Sequence, residues 1–114
     1  MFFRKEALPT IALIHLKGEI GSSINYNTVR LQIDEAFCLE NLKAVCLVIN
    51  SPGGSPVQSQ LIADYIRYYS DLRNTPVYAF IEDISASGGY LIACAADLIY
   101  VSRFSLGNKL LFRI

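Results

Sequence analysis

A serine in a glycine-rich turn is the residue of this chain whose type and setting could do chemistry. Ser87 lies in the segment ISASGGY (84–90), which follows an apolar run typical of a strand. A second glycine pair ends the segment NSPGG (50–54), which follows another such run. A hydroxyl on a strand-to-helix turn can act as a nucleophile, and backbone N–H groups that no side chain shields can stabilise an oxyanion. The two segments therefore indicate nucleophilic serine catalysis, although the sequence offers no clear general base.

The elements that must position these turns alternate between strand and helix. Apolar runs rich in branched side chains predict strands, and apolar residues at helical spacing predict helices. Ser55 and Pro56 are predicted as the N-cap and the first residue of one helix, and Asn27 or Thr28 as the N-cap of another. The predicted strands are residues 10–16, 44–49, 77–81 and 98–101, and the predicted helices are residues 28–39, 56–72 and 87–96. This order predicts an α/β fold of repeated β-α units with a mostly parallel sheet.

Both glycine turns are predicted at one edge of that sheet. Ligands of such folds bind beyond the carboxyl ends of the strands, where helix N-termini direct N–H groups at the same space. Either turn alone could be an ordinary tight turn, because glycine permits positive φ. The continuous apolar runs, such as AVCLVI (44–49), further predict strands that are buried on both faces.

Length and composition indicate one globular domain and exclude several classes of protein. The chain has 114 residues, of which 53% are hydrophobic and 18% charged, and its formal net charge is zero. It has no basic stripe, so nucleic-acid binding is not expected. Its three cysteines lack metal-ligand spacing, and no phosphate-binding glycine motif is present, so no metal or cofactor is expected. The apolar run at 7–16 favours a first strand over a signal peptide.

Taken together, the segments NSPGG and SASGGY, separated by a helix and a strand, resemble the S49 peptidases. This is the signal peptide peptidase A family, related in fold to the Clp protease and the crotonases. The resemblance covers about residues 10–101 and implies a Clp/crotonase-like α/β fold. Family members act at the bacterial cytoplasmic membrane and cleave signal-peptide remnants or other peptides. A peptide substrate, a homo-oligomer and association with a membrane are therefore the expected partners, without a cofactor or metal.

The resemblance also implies roles for individual residues. Ser87 corresponds to the family nucleophile. Gly54 and Gly88 correspond to the residues whose backbone N–H groups form the oxyanion hole, and Gly53 and Gly89 would shape the two turns. On this basis a Gly54→Val substitution is expected to damage the site more than the fold.

The sequence departs from the family where the base should be. The family uses a serine–lysine dyad whose lysine lies several dozen residues beyond the serine, whereas this chain has 114 residues. Residues 1–114 are therefore expected to form a single partial domain that is C-terminally incomplete. Residues 102–114 are expected to be a divergent tail without a clear element, so that the last strand lacks a neighbour.

Other residues are weaker candidates for catalytic groups. Lys109 is the only lysine after Ser87, and a solvated tail lysine is the favoured interpretation. His15 could complete a serine–histidine triad only if the fold brought it to the serine. Glu82 and Asp83 are a poor carboxylate pair, because neighbours on a strand point to opposite faces. The alternative functions are an inactive, oligomer-forming module without its base and, less favoured, a crotonase-type acyl-CoA enzyme.

Overall fold

Repeated β-α units build one five-stranded sheet. The structure, a computed structural model, describes residues 8–82, 87–103 and 108–113. The strands are β1 (Thr10–Lys17), β2 (Leu42–Asn50), β3 (Val77–Ile81), β4 (Leu98–Arg103) and β5 (Asn108–Arg113), and the helices are α1 (Tyr26–Phe37), α2 (Pro56–Arg73) and α3 (Ser87–Ala93). The strand order is β1-β2-β3-β4-β5, with β1 to β4 parallel. The predicted α/β fold with a mostly parallel sheet is confirmed.

The helices cover one face of the sheet. Alternate residues along β1 to β4 are buried, and with those of the helices they form a single core. Crossovers between parallel strands are right-handed, so strands that follow each other in chain order receive all their helices on one face. The buried residues of the sheet on this covered face are Ala12, Ile14, Leu16, Val45, Leu47, Ile49, Val77, Ala79, Ile81, Ile99 and Val101.

The opposite face of the sheet is only partly buried. Cys46 and Val48 in β2 are half-buried, and Phe80 in β3 is 39% exposed. The prediction that the apolar strands are buried on both faces is therefore wrong for the described residues. The continuous apolar run correctly identified β2 as a strand. It arises because β2 has apolar side chains on both faces, although only one of these faces is covered by helices. Phe80 stacks on Tyr100 of β4, which shields part of this uncovered face.

Helices α1 and α2 each begin directly after a residue whose side chain caps the first turn. Ser55 caps α2 as predicted, because its hydroxyl accepts the Gln58 N–H at 3.2 Å and Pro56 is the first helical residue. The predicted start of α1 at residue 28 is wrong, because α1 begins at Tyr26 after the Asn25 cap. Within the described ranges, no helix is both long and apolar enough to cross a membrane.

The prediction that residues 102–114 contain no clear element is also wrong. β4 continues to Arg103, and β5 pairs with it in antiparallel orientation, with Lys109 opposite Ser102. β4 therefore has a neighbour on each side. The third helix is shorter than predicted, since α3 ends at Ala93.

Candidate active site

The NSPGG turn is held by a buried serine at the carboxyl end of β2. The Ser51 hydroxyl is buried and accepts the Gly53 N–H at 3.1 Å. Gly53 has φ of 108°, in the region that favours glycine. The Ser51 side chain therefore fixes the direction in which the main chain leaves β2.

Gly54 forms a parallel bridge with Ile20, from the loop between β1 and α1. The Ile20 N–H donates to the Gly53 carbonyl at 2.9 Å, and the Ser55 N–H donates to the Ile20 carbonyl at 2.8 Å. Both bonds use groups that flank Gly54, so the N–H of Gly54 itself points away from Ile20. Gly54 is exposed, and no described residue accepts its N–H. This N–H is therefore accessible to a ligand at the edge of the sheet.

The same bridge makes Gly54 essential to the local fold. Gly54 has φ of 142°, and a Cβ atom at this position would lie 2.1 Å from the Ile20 carbonyl oxygen and 2.8 Å from the Ile20 nitrogen. Both are backbone atoms, which cannot move aside as a flexible side chain would. The expectation that Gly54→Val damages the site more than the fold is therefore wrong, because a side chain at position 54 would force the two segments apart.

The second turn leads into α3 at the same end of the sheet. Ser87 is the first residue of α3, and Gly88 follows it. Gly89 is buried, and a Cβ atom there would lie 3.1 Å from Cγ2 of Ile49. Because Ile49 directly precedes Asn50, the last residue of β2, the start of α3 lies against the end of β2.

The Gly53–Gly54 turn and the start of α3 therefore lie together at the carboxyl end of β2. The end of β3 lies beside them, because the Glu82 N–H donates to the Ile49 carbonyl at 3.1 Å. The hydroxyl of Ser87 and residues 83–86, which include Asp83 and Ser85, lie outside the described part of the structure. The roles of Ser87, Gly54 and Gly88 in catalysis stay predictions.

The two alternative bases lie in different settings. His15 is exposed on the uncovered face of β1, opposite Val48 of β2, whereas α3 packs on the covered face. The structure does not bring His15 to the start of α3. The main chain of Lys109 lies near the carboxyl end of β4, but β4 separates β5 from β3. The role of Lys109 as a base stays a prediction.

Ile20 is the residue of this site that the sequence analysis missed. Its side chain is buried, and its main chain holds Gly54 through two hydrogen bonds. The loop around it also carries two glycines with positive φ, Gly18 and Gly21, and this is the signal that could have pointed to a structured loop. Residues that pair through their main chains need no particular side chain, so the sequence carries no pattern that reveals such a pair.

Comparison with known proteins connects this arrangement to a peptidase family. The profile of "Peptidase family S49" matches residues 71–107, which include Ser87. Protease 4 of Salmonella typhi is 32% identical over 107 residues, covering 89% of this chain and 17% of that protein. A putative protease of Methanocaldococcus jannaschii is 33% identical over 67 residues, covering 59% of this chain and 21% of that protein.

A protein of Brucella melitensis named Na(+)/H(+) antiporter NhaA is 45% identical over 74 residues, covering 65% of this chain and 10% of that protein. The chain thus spans between 10% and 21% of the length of these three relatives. The family profile and the protease relatives agree with the arrangement of the Gly53–Gly54 turn beside the start of α3. The chain belongs to peptidase family S49.

Proposed function

We propose that this chain carries the nucleophile and the oxyanion hole of a serine peptidase of the signal peptide peptidase A type, which hydrolyses signal-peptide remnants or other peptides. The observation that carries the proposal is the exposed N–H of Gly54, which no described residue accepts, at the end of the sheet where α3 begins with Ser87. The protease names of relatives from Salmonella and Methanocaldococcus support it.

In the proposed reaction, the Ser87 oxygen attacks the carbonyl carbon of the scissile peptide bond, while a base takes the proton of the hydroxyl. The N–H groups of Gly54 and Gly88 stabilise the negative charge on the tetrahedral intermediate. The base then gives its proton to the leaving amine, the C–N bond breaks, and an acyl-enzyme remains. Attack by water, with the same proton transfers, releases the acid and restores Ser87.

The base in this proposal is a lysine outside residues 1–114, at the position that the family resemblance implies. A lysine acts as a base only when its surroundings lower its pKa enough to keep it neutral near pH 7. Lys109 is the second candidate, since β5 brings its main chain near the carboxyl end of β4.

The antiporter from Brucella shares with this chain an aligned segment that is one tenth of its own length. We base the proposal on the family profile and not on that name, because the profile matches the residues around Ser87.

The first experiment treats the purified 114-residue chain with a fluorophosphonate probe and locates the adduct by mass spectrometry. We expect slow labelling at Ser87 that Ser87→Ala abolishes and that the matched variant Ser85→Ala retains. Labelling at Ser85, or no labelling beyond that of denatured protein, would contradict the proposal and favour the inactive module.

The second experiment measures peptide hydrolysis by the same chain. Without the family lysine, only the oxyanion hole and substrate binding remain, so we expect little or no turnover. Robust turnover that Ser87→Ala abolishes would show that the base lies within these 114 residues, and Lys109→Gln would then test the second candidate.

A further inference from the structure

One peptide group carries both the carbonyl that Ile20 holds and the N–H that faces the candidate site. This is the peptide group between Gly53 and Gly54. In a trans peptide group the C=O and the N–H point in opposite directions. The Ile20 N–H donates to the Gly53 carbonyl at 2.9 Å, and this bond therefore directs the Gly54 N–H away from Ile20. The direction of the proposed oxyanion donor thus depends on where Ile20 lies.

The same peptide group has little to stop it from rotating apart from this bond. It lies between two glycines, with φ of 108° at Gly53 and 142° at Gly54. Glycine adopts either sign of φ at low cost, so the peptide plane can turn over without a steric clash of side chains. Such a rotation would set the Gly53 carbonyl oxygen toward the substrate, where it would repel a developing oxyanion. The Ile20 N–H opposes this rotation as long as Ile20 stays in place.

Ile20 belongs to a loop that is bonded internally, which we call the β1–α1 loop (residues 18–25). The Gly21 N–H donates to the Ile24 carbonyl at 2.7 Å, and the Ile24 N–H donates to the Glu19 carbonyl at 2.9 Å. Because these bonds close a tight turn, residues 19–24 move together. A contact that holds either end of the loop therefore also helps to hold Ile20.

Both ends of the β1–α1 loop are anchored on the segment that surrounds the glycine turn. At one end, the Gly18 N–H donates to the Asn50 carbonyl at 3.0 Å. At the other end, the N–H of Tyr26, the first residue of α1, donates to the side-chain oxygen Oε1 of Gln58 at 2.7 Å. The first N–H of a helix has no acceptor within the helix, so the Gln58 side chain supplies the missing one.

Gln58 makes the anchor that depends on a side chain. The described hydrogen bonds between residues 18–21 and residues 50–55 join main-chain atoms at both ends, which every residue type carries. The bond to Tyr26 instead needs the amide oxygen of a glutamine. Gln58 is half-buried in the first turn of α2, and its own N–H donates to the Ser55 hydroxyl at 3.2 Å. Its position is therefore fixed directly beside the turn that carries Gly54.

We propose that Gln58 is a positioning residue of the oxyanion hole. Its side-chain oxygen holds the start of α1 and with it the β1–α1 loop, so that Ile20 keeps the Gly54 N–H directed at the substrate carbonyl. This inference rests on the proposed function, because it concerns the donor that the proposed reaction uses. Gln58 acts through Ile20 and takes no part in the making or breaking of bonds.

Three variants of the 114-residue chain test the proposal. Gln58→Leu removes the acceptor at similar size, and Gln58→Glu retains one. Gln60→Leu is the matched control, because Gln60 is exposed on the same helix and its side chain donates to Asp64 at 2.7 Å and not to the loop. Circular dichroism first checks that each variant is folded. Gln58→Met, which keeps the unbranched shape, takes the place of Gln58→Leu should the latter not fold.

Amide hydrogen exchange, followed by NMR, tests the anchor without any catalysis. In Gln58→Leu we expect the N–H groups of Ile20 and Ser55 to exchange about fivefold faster or more, since the loop that pairs with Gly54 opens more often. The Val45 N–H, which donates to the Pro76 carbonyl at the amino end of β2, should exchange as in the wild type. Equal acceleration at Val45 would indicate a general loss of stability and would overturn the proposal.

The rate of Ser87 labelling by a fluorophosphonate tests the consequence for the site. Varying the probe concentration separates the limiting rate from the half-saturating concentration. A misdirected donor lowers the limiting rate and leaves the half-saturating concentration unchanged. We expect the limiting rate of Gln58→Leu to fall about tenfold, which is less than the loss of about 10²–10³-fold on removing one donor outright. Gln58→Glu and Gln60→Leu should both label at close to the wild-type rate.

The possible outcomes separate this inference from the proposed function. If the wild type is labelled at Ser87 and Gln58→Leu is labelled equally fast, the inference is wrong and the proposed function stands. If the wild type is not labelled, the proposed function is wrong, and the exchange rates alone decide whether Gln58 holds Ile20. A loss in Gln58→Glu or Gln60→Leu as large as in Gln58→Leu would also overturn the inference, because the acceptor for Tyr26 would then not be the cause.

Discussion

The carbonyl oxygen of Ile20 occupies the place that a side chain at position 54 would need: a Cβ atom built on Gly54 lies 2.1 Å from it. This contact couples the fold to the candidate site. Ile20 holds Gly54 through the groups on either side of it and so leaves the Gly54 N–H free to face a ligand. The glycine is required by the backbone geometry before any catalytic role is considered.

Gly54→Ala should therefore destabilise the chain strongly. The positive φ alone costs a non-glycine residue about 1–3 kcal/mol, and the overlap with Ile20 adds to this cost. Gly21→Ala is the matched control, because Gly21 has φ of 113° but its Cβ would meet only the Ser55 side chain at 3.4 Å. We expect urea unfolding to show a clearly larger loss for Gly54→Ala. Equal losses would mean that the backbone conformation, and not the contact with Ile20, requires the glycine.

Ser55→Ala should lower the free energy of unfolding by about 1 kcal/mol, because α2 would lose the cap that accepts the Gln58 N–H. Ser55→Asp supplies another acceptor at the same position and should retain most of the stability. Thermal unfolding of the two variants beside the wild type measures the difference. A loss as large in Ser55→Asp as in Ser55→Ala would contradict the capping role.

Asp97→Ala should cost about 1–3 kcal/mol. One Asp97 oxygen accepts the N–H of the buried Val77 at 2.8 Å, and the other lies 3.3 Å from the Arg67 guanidinium. Removing the carboxylate leaves the Val77 N–H without its partner. Asp71→Ala breaks an exposed ion pair with the same arginine and should cost well under 1 kcal/mol. Denaturant titration of both variants separates the two effects, and similar losses would contradict this account.

Stability should fall at alkaline pH in part through Tyr65. Its hydroxyl donates to the Asp34 carboxylate, and this hydrogen bond raises the pKa of Tyr65 above its ordinary value of 10. The folded state therefore holds the Tyr65 proton more tightly than the unfolded state. The resulting stability is fully present below pH 10 and is lost as the pH rises above it.

Tyr65→Phe removes the hydroxyl and should reduce the decline of unfolding free energy with rising pH above 10. Asp34→Asn removes the carboxylate charge that favours the protonated phenol and should reduce the decline in the same direction. The measurement is urea unfolding at several pH values between 8 and 11. An unchanged slope in both variants would show that other groups cause the alkaline loss.

The sequence correctly predicted the ends of those elements that are bounded by turn or capping residues next to them in the chain. The bounds of β3 and the Ser55–Pro56 start of α2 agree with the structure, because turn and capping residues stand directly beside them. The start of α1 was missed because Asn25, Asn27 and Thr28 can all cap a helix. The Tyr26 N–H donates to the Gln58 side chain of α2, 32 residues away, and this contact helps to hold the true start.

The other differences between the prediction and the structure also arise from contacts between residues that are far apart in the sequence. The antiparallel pairing of β5 with β4 depends on the partner strand and not on the sequence of residues 108–113 alone. The first glycine pair predicted the turn at Gly53 and Gly54, and the second predicted the start of α3. They could not predict that Ile20 would hold Gly54, because that contact involves main-chain groups, which every residue type carries.

The strand order has a consequence for synthesis on the ribosome. Each parallel strand pairs with the strand made just before it, so no early strand must wait for a distant later one. The sheet can grow by one strand as each β-α unit emerges, and β1 to β3 with α1 and α2 can pack before β4 emerges. Because domains fold from the N-terminus during synthesis, the Gly54 turn would form before the segment that carries Ser87 has emerged from the ribosome.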